Sequence, residues 1–194
     1  MEVMEAVKGR RTIRRYKTQP VSNEALQTVL EAARWAPSWA NTQCWSFVVV
    51  RDAQKKAQIA GYLQSSTPGR ENRAVQALKD APVLIVACAE RFLSGFQRAG
   101  EHKGFPATDK GDWFMFDLAL AMENLVLAAY SLGLGTAHVG NFDAVAVAKL
   151  LKLPQNTAVV ELMPLGYPDE SPEPRPRKEL KEMVFYEEYG KTKP

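Results

Sequence analysis

The sequence has few of the residues on which many structural and catalytic sites depend. Among its 194 residues there are only two cysteines and two histidines. Cys44 and Cys88 form no motif, so nothing predicts a secreted scaffold that is held together by disulfides. A single disulfide between the two cysteines stays as an alternative. His102 and His138 lie far apart without ligand partners in spacing, so we expect no metal site. His138 falls in an apolar run and is interpreted as a core residue. Patterns typical of hydrolases, such as G-x-S-x-G, are absent.

The chain also has little net charge and few uninterrupted apolar runs. The net charge is only +3, which is too small to indicate nucleic-acid binding by itself. Glu2 and Glu5 replace the apolar start of a signal peptide, so we expect a cytoplasmic location. Residues 113–134 could suggest a membrane span, but Asp117 and Glu123 would each cost about 2.5–3.5 kcal/mol near mid-bilayer. We therefore expect a long buried helix and no membrane association.

The remaining pattern predicts one α+β domain over residues 1–194. The apolar fraction of 46% is enough to bury a core. Apolar periodicity and caps predict helices over residues 2–9, 23–35, 53–63, 73–79, 113–132 and 144–150. Short β-rich runs predict strands over residues 45–50, 82–89, 136–139 and 158–164. The uneven alternation favours a mixed sheet flanked by helices, and the two-sided apolar strand 82–89 predicts that both faces are covered.

Two further segments have a composition of their own. Residues 90–111 contain glycines, a proline and mixed charges without clear periodicity, which is typical of a functional lid. The tail of residues 184–194 carries apolar side chains that a lone monomer would bury poorly, so it is a candidate to wrap a second subunit.

Two basic clusters near the chain ends form the first candidate site. The first has no acidic residue and contains Lys8, Arg10, Arg11, Arg14, Arg15 and Lys17, with Thr12 among them. The second is Arg175-Pro-Arg177-Lys178, which the flanking prolines stiffen. Guanidinium and hydroxyl groups are common partners of phosphate. The pattern indicates a phosphate site. A solvated charged surface and nucleic-acid binding stay as alternatives, although few aromatics accompany the cations.

A kinked polar loop, Pro37-Ser38-Trp39-Ala40-Asn41-Thr42-Gln43, forms the second candidate site. Such residues make local turn hydrogen bonds in any ordinary loop. They also offer short hydrogen-bonding groups to a flat heterocycle. A phosphate site together with such a loop is what a flavin mononucleotide (FMN) site needs.

The ordered set of motifs resembles the nitroreductase family of flavoproteins. The motifs that carry this resemblance are, in chain order, Arg10-Arg11-Thr12-Ile13-Arg14, the loop of residues 37–43 with Trp45-Ser46-Phe47, Leu132–Thr136, Val139–Asp143, Leu165–Pro168 and the arginines of the second basic cluster. The resemblance covers nearly the whole chain in the family's order. Cys44 stands where the family usually has proline, and Trp39 where it has a small residue. Ala74 and Ala77 occupy the region where some members carry a basic residue, so Arg14 is expected to act alone there.

The resemblance implies an FMN-dependent oxidoreductase that is a homodimer, with the long central helix at the subunit interface. Hydride would pass from NADH or NADPH through flavin N5 to a small acceptor such as a nitroaromatic, a quinone or an enone. A non-catalytic protein of the same fold that stores FMN or senses it is the alternative. No catalytic side chain is expected, because FMN carries the chemistry.

The resemblance also implies which residues bind FMN. Arg10, Arg175 and Arg177 would contact the phosphate, and Arg14 would tune the flavin at its pyrimidine edge. The remaining expected cofactor residues are Arg11 and Thr12 beside them, Pro37, Ser38 and Trp39 from the partner subunit, Asn41 at a polar position of the same motif, and Val139, Gly140 and Asn141 beside the isoalloxazine.

Overall fold

A computed structural model describes residues 1–65, 67, 69–70 and 72–192 of the chain. The helices are α1 Val3–Gly9, α2 Asn23–Arg34, α3 Ala53–Ala60, α4 Ala74–Asp80, α5 Phe114–Ser131 and α6 Ala144–Leu150. The strands are β1 Trp45–Val50, β2 Val83–Glu90, β3 Gly135–Thr136 and β4 Thr157–Gly166, and short 3₁₀ turns cover Trp39–Asn41 and Leu180–Glu182.

Local signals fix where several helices begin and end. Ser22 caps α2, because its side-chain oxygen accepts a hydrogen bond from the backbone N–H of Ala25 at 3.1 Å. Gly133 follows α5 with φ of +74°, a left-handed conformation that ends a helix readily without a Cβ. The predicted helix over residues 53–63 ends early, at Ala60, because Leu63 pairs with Phe142 in an isolated bridge.

The four strands form one sheet in the order β1-β2-β4-β3, and all three strand pairs are antiparallel. The α+β class is therefore confirmed. A bridge between Thr12 and Thr136 adds a parallel pairing at the β3 edge. The predicted strand over residues 136–139 is only partly formed. β3 stops at Thr136, although Val139 still pairs with Leu162 in the register that β3 began.

Both faces of the sheet are covered, as the apolar pattern of β2 predicted. Residues 83–89 of β2 have no exposed surface. On one face, α2 and α5 pack against Ile85 and Ala87. On the other, α3, α4 and α6 pack against Leu84 and Val86. Alternate side chains of a single strand thus belong to two apolar clusters, which is the period of a strand.

The long helix α5 belongs to the first of these clusters. By length and composition alone it could cross a membrane. In the fold, Leu118, Met122 and Leu125 are buried against α2 and the sheet. Met115 and Phe116 in its first turn stay exposed on the chain analysed by itself.

Candidate functional site

A short backbone pairing joins the two ends of the chain. The backbone N–H of Lys17 donates to the carbonyl oxygen of Tyr167 at 2.9 Å. The backbone N–H of Asp169 donates to the carbonyl oxygen of Arg15 at 3.0 Å. The first basic cluster ends in this pairing and the second follows it, so the two are brought to the same side of the molecule.

Glu170 reinforces the pairing. Its Oε1 atom accepts hydrogen bonds from the backbone N–H groups of Arg14 at 2.5 Å and Arg15 at 3.1 Å. Its Oε2 atom lies 3.4 Å from Nε of Arg15. One carboxylate therefore holds the backbone from which the Arg14 side chain projects.

The basic clusters line one cleft of about 660 Å³, which we call the basic cleft. Its charged lining is Lys8, Arg10, Arg11, Arg14, Glu170, Glu173, Arg175 and Arg177. Thr12 also lines it. Six basic side chains against two acidic ones give the basic cleft a strong positive potential. The cleft thus unites the residues of both clusters that are predicted to bind FMN, namely Arg10, Arg11, Thr12, Arg14, Arg175 and Arg177.

Three of these arginines also bond to the protein itself. Nη1 of Arg177 donates to the carbonyl oxygens of Arg175 at 3.2 Å and Pro176 at 3.4 Å. Nε of Arg10 lies 3.0 Å from Oε1 of Glu123 on α5, which orients its guanidinium. Nη1 of Arg11 donates to the carbonyl oxygens of Lys8, Gly9 and Arg10 at 2.7–3.0 Å. Arg11 therefore satisfies carbonyls at the C-terminal end of α1, a use that the sequence pattern did not suggest.

A second space of about 360 Å³, which we call the adjoining cavity, shares Arg14 with the basic cleft. Its lining is Arg14, Ser65, Thr67, Arg70, Asn72, Arg73, Ala74, His138, Val139, Gly140 and Asn141. The predicted residues 139–141 therefore lie beside predicted Arg14. The backbone carbonyl of Asn141 is fixed by the N–H of Gln64 at 3.0 Å.

Sequence reasoning missed several polar residues that line the adjoining cavity: Ser65, Thr67, Arg70, Asn72 and Arg73. Arg70 and Arg73 line the same cavity, so Arg14 has basic neighbours there that the expectation of a lone Arg14 did not include. The prediction considered Ala74 and Ala77, whereas Arg70 and Arg73 lie just before α4. The polar and basic residues immediately preceding a predicted helix were the available signal.

His138 is not the core residue that its apolar surroundings suggested. Its side chain is 42% exposed and faces the adjoining cavity. Nδ1 lies 2.6 Å from Oε1 of Glu161 on β4. The hydrogen bond to Glu161 raises the pKa of His138 above its usual 6.5, against an opposing effect of burial.

The loop of residues 37–43 lines neither the basic cleft nor the adjoining cavity. It is locally well defined. Ala40, Asn41 and Gln43 have φ of 45°, 52° and 48°, a left-handed conformation that is uncommon for residues other than glycine. The side-chain oxygen of Ser38 accepts a hydrogen bond from the backbone N–H of Gln43 at 2.9 Å. Within one chain, the predicted loop residues Pro37, Ser38, Trp39 and Asn41 thus lie outside the spaces that the arginines line.

Residues 91–111 form no helix or strand, as the sequence predicted, and they fold back on themselves. Gln97 donates to the carbonyl of Phe105 at 3.0 Å, and Gly104 donates to that of Gln97 at 2.8 Å. Phe92 and Phe105 remain 60% and 62% exposed. The segment therefore presents aromatic surface from a hairpin-like turn.

The family model described as "Nitroreductase family" matches residues 7–167, which include the first basic cluster, the loop of residues 37–43 and the adjoining cavity. The chain belongs to the nitroreductase family. The second basic cluster lies just beyond the matched range, and the backbone pairing at residues 167–169 attaches it to the family fold.

Known relatives cover almost the entire chain. A Thermus thermophilus protein named NADH dehydrogenase is 31% identical, over 96% of this chain and 96% of its own length. A Vibrio harveyi NADPH-flavin oxidoreductase is 29% identical, over 96% of this chain and 74% of its own. The crystal structure of an oxidized iodotyrosine deiodinase bound to FMN and 3-iodo-L-tyrosine is 26% identical, with a TM-score of 0.78 over 97% of this chain and all of its own.

The pair of His138 and Glu161 gives a pH-dependent signal that can be measured directly. In a His102→Gln background, His138 supplies the single imidazole of the chain. We expect its pKa by NMR titration to lie above 6.5 and to fall toward 6.5 in Glu161→Gln, which keeps a hydrogen-bonding group without the charge.

The sign of the linked stability follows from this shift. Because the folded-state pKa is raised, the stabilisation is present below the unfolded pKa of about 6.5 and is lost as the pH rises through the folded value. A wild-type pKa at or below 6.5, or one unchanged by Glu161→Gln, contradicts the assignment.

Proposed function

We propose that the chain is an FMN-dependent NAD(P)H oxidoreductase. The observation that carries this proposal is the convergence of both basic clusters on the basic cleft, which Arg14 joins to the adjoining cavity. Family membership supplies the reaction class, and the relatives named for flavin and NAD(P)H chemistry support it. We further propose that residues 1–194 act as one FMN-binding domain in the cytoplasm.

The residues present fit a flavin phosphate. A phosphate dianion calls for several cationic donors that converge without many competing acids. In this proposal, Arg10, Arg175 and Arg177 bind the phosphate, and Thr12 adds a hydroxyl. Glu123 orients Arg10 through its 3.0 Å contact. Prolines flanking the second cluster limit its conformations, which lowers the entropy lost on binding.

The adjoining cavity fits the ring system at its polar edge. Arg14, with Arg73 and Asn72 nearby, offers positive charge and hydrogen-bond donors to the pyrimidine edge of the ring. Residues 139–141 approach its side as a backbone wall. When bound, FMN supplies hydride transfer between the nicotinamide and the acceptor at N5. Cationic groups at the pyrimidine edge favour the form that carries more negative charge, so Arg14 tunes the flavin.

The acceptor site is proposed to lie where the loop of residues 37–43 meets residues 90–111. Trp39 is half-buried, and Phe92 and Phe105 expose aromatic faces. Flat aromatic surfaces suit a planar acceptor such as a nitroaromatic, a quinone or an enone. Residues 90–111 would act as the lid that excludes water from this site.

A homodimer completes the proposed site. The loop of residues 37–43 lies outside the arginine-lined spaces of its own chain, so it would reach the flavin bound to the partner. Exposed apolar side chains are available for the interface at Val3, Met4, Val7, Met115, Phe116, Leu180, Met183, Val184, Tyr186 and Tyr189. A soluble monomer rarely exposes so many large apolar side chains, so this set favours an interface with a second subunit. The long helix α5 would lie at the interface and the tail would wrap the partner. Residues 193–194 of that tail lie outside the described residues.

Light scattering tests the dimer. The FMN-loaded protein is expected to have twice the chain mass of 21.6 kDa. A species of 21.6 kDa that still holds FMN contradicts a site built from two chains.

Turnover tests the function. Purified, FMN-loaded protein is expected to oxidise NADH or NADPH when a nitroaromatic, a quinone or an enone is added. The kinetics should be ping-pong, because the nicotinamide and the acceptor would occupy the same stacking site one after the other. Tight FMN binding with slow reduction and no acceptor-dependent oxidation would instead indicate a storage or sensor protein. A colourless protein with steeply salt-dependent binding to RNA would refute the flavin site altogether.

Arg177→Ala tests the phosphate site, with Arg15→Ala as the matched control. Arg15 comes from the same basic sequence but is 73% exposed and does not line the basic cleft. Losing one charge-assisted hydrogen bond costs about 1.5–3 kcal/mol, so Arg177→Ala should raise the Kd of FMN about tenfold to a hundredfold. Quenching of flavin fluorescence measures both variants. Equal Kd values for the two variants contradict the assignment.

A further inference from the structure

Asp117 on α5 is a charged side chain without exposed surface. Its two carboxylate oxygens each lie 3.1 Å from the backbone nitrogen of Trp39, which donates to them. Its Oδ2 also accepts from the hydroxyl of Thr42 at 3.4 Å and from the hydroxyl of Ser94. The carboxylate therefore binds two segments that are distant in sequence from each other and from α5.

Cys44 adds a further donor to the same carboxylate. Its Sγ atom lies 3.9 Å from Oδ2 of Asp117. Burial, with the negative charge of Asp117, raises the pKa of the Cys44 thiol to about 12. The thiol therefore keeps its proton and remains able to donate.

A buried carboxylate lowers the stability of the fold unless its charge is compensated. Taking it out of water costs several kcal/mol unless hydrogen bonds replace the lost solvent. Its place in the first turn of α5 and the surrounding donors provide that compensation. Packing alone would be served by an apolar residue, as at neighbouring Leu118 and Ala121. The charge at Asp117 thus serves to fix the groups that donate to it.

Ser94 connects Asp117 to the segment of residues 91–113. The carbonyl oxygen of Ser94 accepts from the backbone N–H of Trp113 at 3.1 Å. Gly95 packs so closely on Trp113 that an added Cβ would lie 2.4 Å from its Cδ1 atom. The base of this segment is therefore held firmly at the position where Ser94 meets Asp117.

A second link joins the same two segments farther out. Nη2 of Arg98 donates to the carbonyl oxygen of Ala40 at 3.1 Å. Ala40 is one of the left-handed residues of the loop of residues 37–43. Asp117 at the buried end and Arg98 at the exposed end thus connect the loop and residues 91–113 as one unit.

We propose that Asp117 is a positioning residue, which fixes the loop of residues 37–43 and the segment of residues 91–113 in one relative arrangement and so shapes the acceptor site. This inference rests on the proposed function for the role of the two segments. The coupling of the segments through Asp117 stands on their contacts alone.

Hydrogen exchange in Asp117→Asn tests the coupling. The amide of Asn has no charge, and its N–H₂ group cannot accept hydrogen bonds from Trp39, Thr42 or Ser94, so the contacts to both segments are weakened. Backbone amides of residues 39–43 and of residues 92–98 should both exchange about tenfold faster or more, the change expected for losing a charge-assisted hydrogen bond. Amides of β2 should keep wild-type protection.

Asp112→Asn is the matched control. Asp112 lies at the same end of α5 and accepts from the backbone N–H of Phe92 at 2.8 Å and of Phe114 at 3.3 Å. Its hydrogen bonds go to residues 92 and 114 and not to the loop, so exchange should rise near residue 92 and stay unchanged in residues 39–43. Acceleration of residues 39–43 by Asp112→Asn as large as that by Asp117→Asn would overturn the proposal, because it would indicate general loosening.

Ser94→Ala tests the same link from its other side. In FMN-loaded protein it should raise the KM for the acceptor severalfold. Added to Asp117→Asn, it should have no further effect on exchange or KM. Independent, additive effects contradict a link through Asp117. Should Asp117→Asn fail to fold, Ser94→Ala and Thr42→Val form an equivalent cycle, in which additivity is again the contradicting result.

These readouts separate the inference from the proposed function. Exchange is measured equally well in flavin-free protein. A chain that binds no FMN, yet shows the coupled exchange, would refute the oxidoreductase and keep the positioning role. Active enzyme with uncoupled segments would do the reverse.

Discussion

The backbone pairing of Arg15 and Lys17 with Tyr167 and Asp169 is the constraint on which the candidate site depends. It is formed as β4 delivers the end of the chain to its beginning, and Glu170 secures it through two backbone N–H groups. Like charges then face one another across the basic cleft. The sheet, covered by helices on both faces, supplies the stability that holds these mutually repelling groups together.

Charge of the opposite sign organises the other half of the proposed site. There the buried carboxylate of Asp117 collects donors from the loop of residues 37–43 and from Ser94. The proposed enzyme thus combines a cationic cleft that is open to a ligand with a buried carboxylate that holds two backbone segments in place. In this proposal the first kind of site binds and tunes FMN, whereas the second fixes the arrangement of the segments around the acceptor. The same helix serves both, since α5 carries Glu123, which orients Arg10, as well as Asp117.

Local chemistry explains which features could be predicted from sequence. Ser22 and Gly133 act within one turn of their helices, so the limits of α2 and α5 were readable. The two basic clusters were visible as composition, and the order of motifs indicated that they meet. What escaped prediction depends on contacts between distant segments. His138 is exposed because of how β3 and β4 pair, and Arg73 faces the adjoining cavity because of how α4 lies on the sheet. Asp117 was read only as a charge unsuited to a membrane, since its donors come from elsewhere in the chain.

A comparison of FMN with riboflavin measures the central claim most directly. The two ligands share the ring and the ribityl chain and differ only in the phosphate. If guanidinium groups from both chain ends hold that phosphate, FMN should bind at least about a hundredfold more tightly than riboflavin at physiological salt, as expected for two or more charge-assisted contacts. Equal affinity for the two ligands would contradict the account, because the convergence of the arginines would then serve no phosphate.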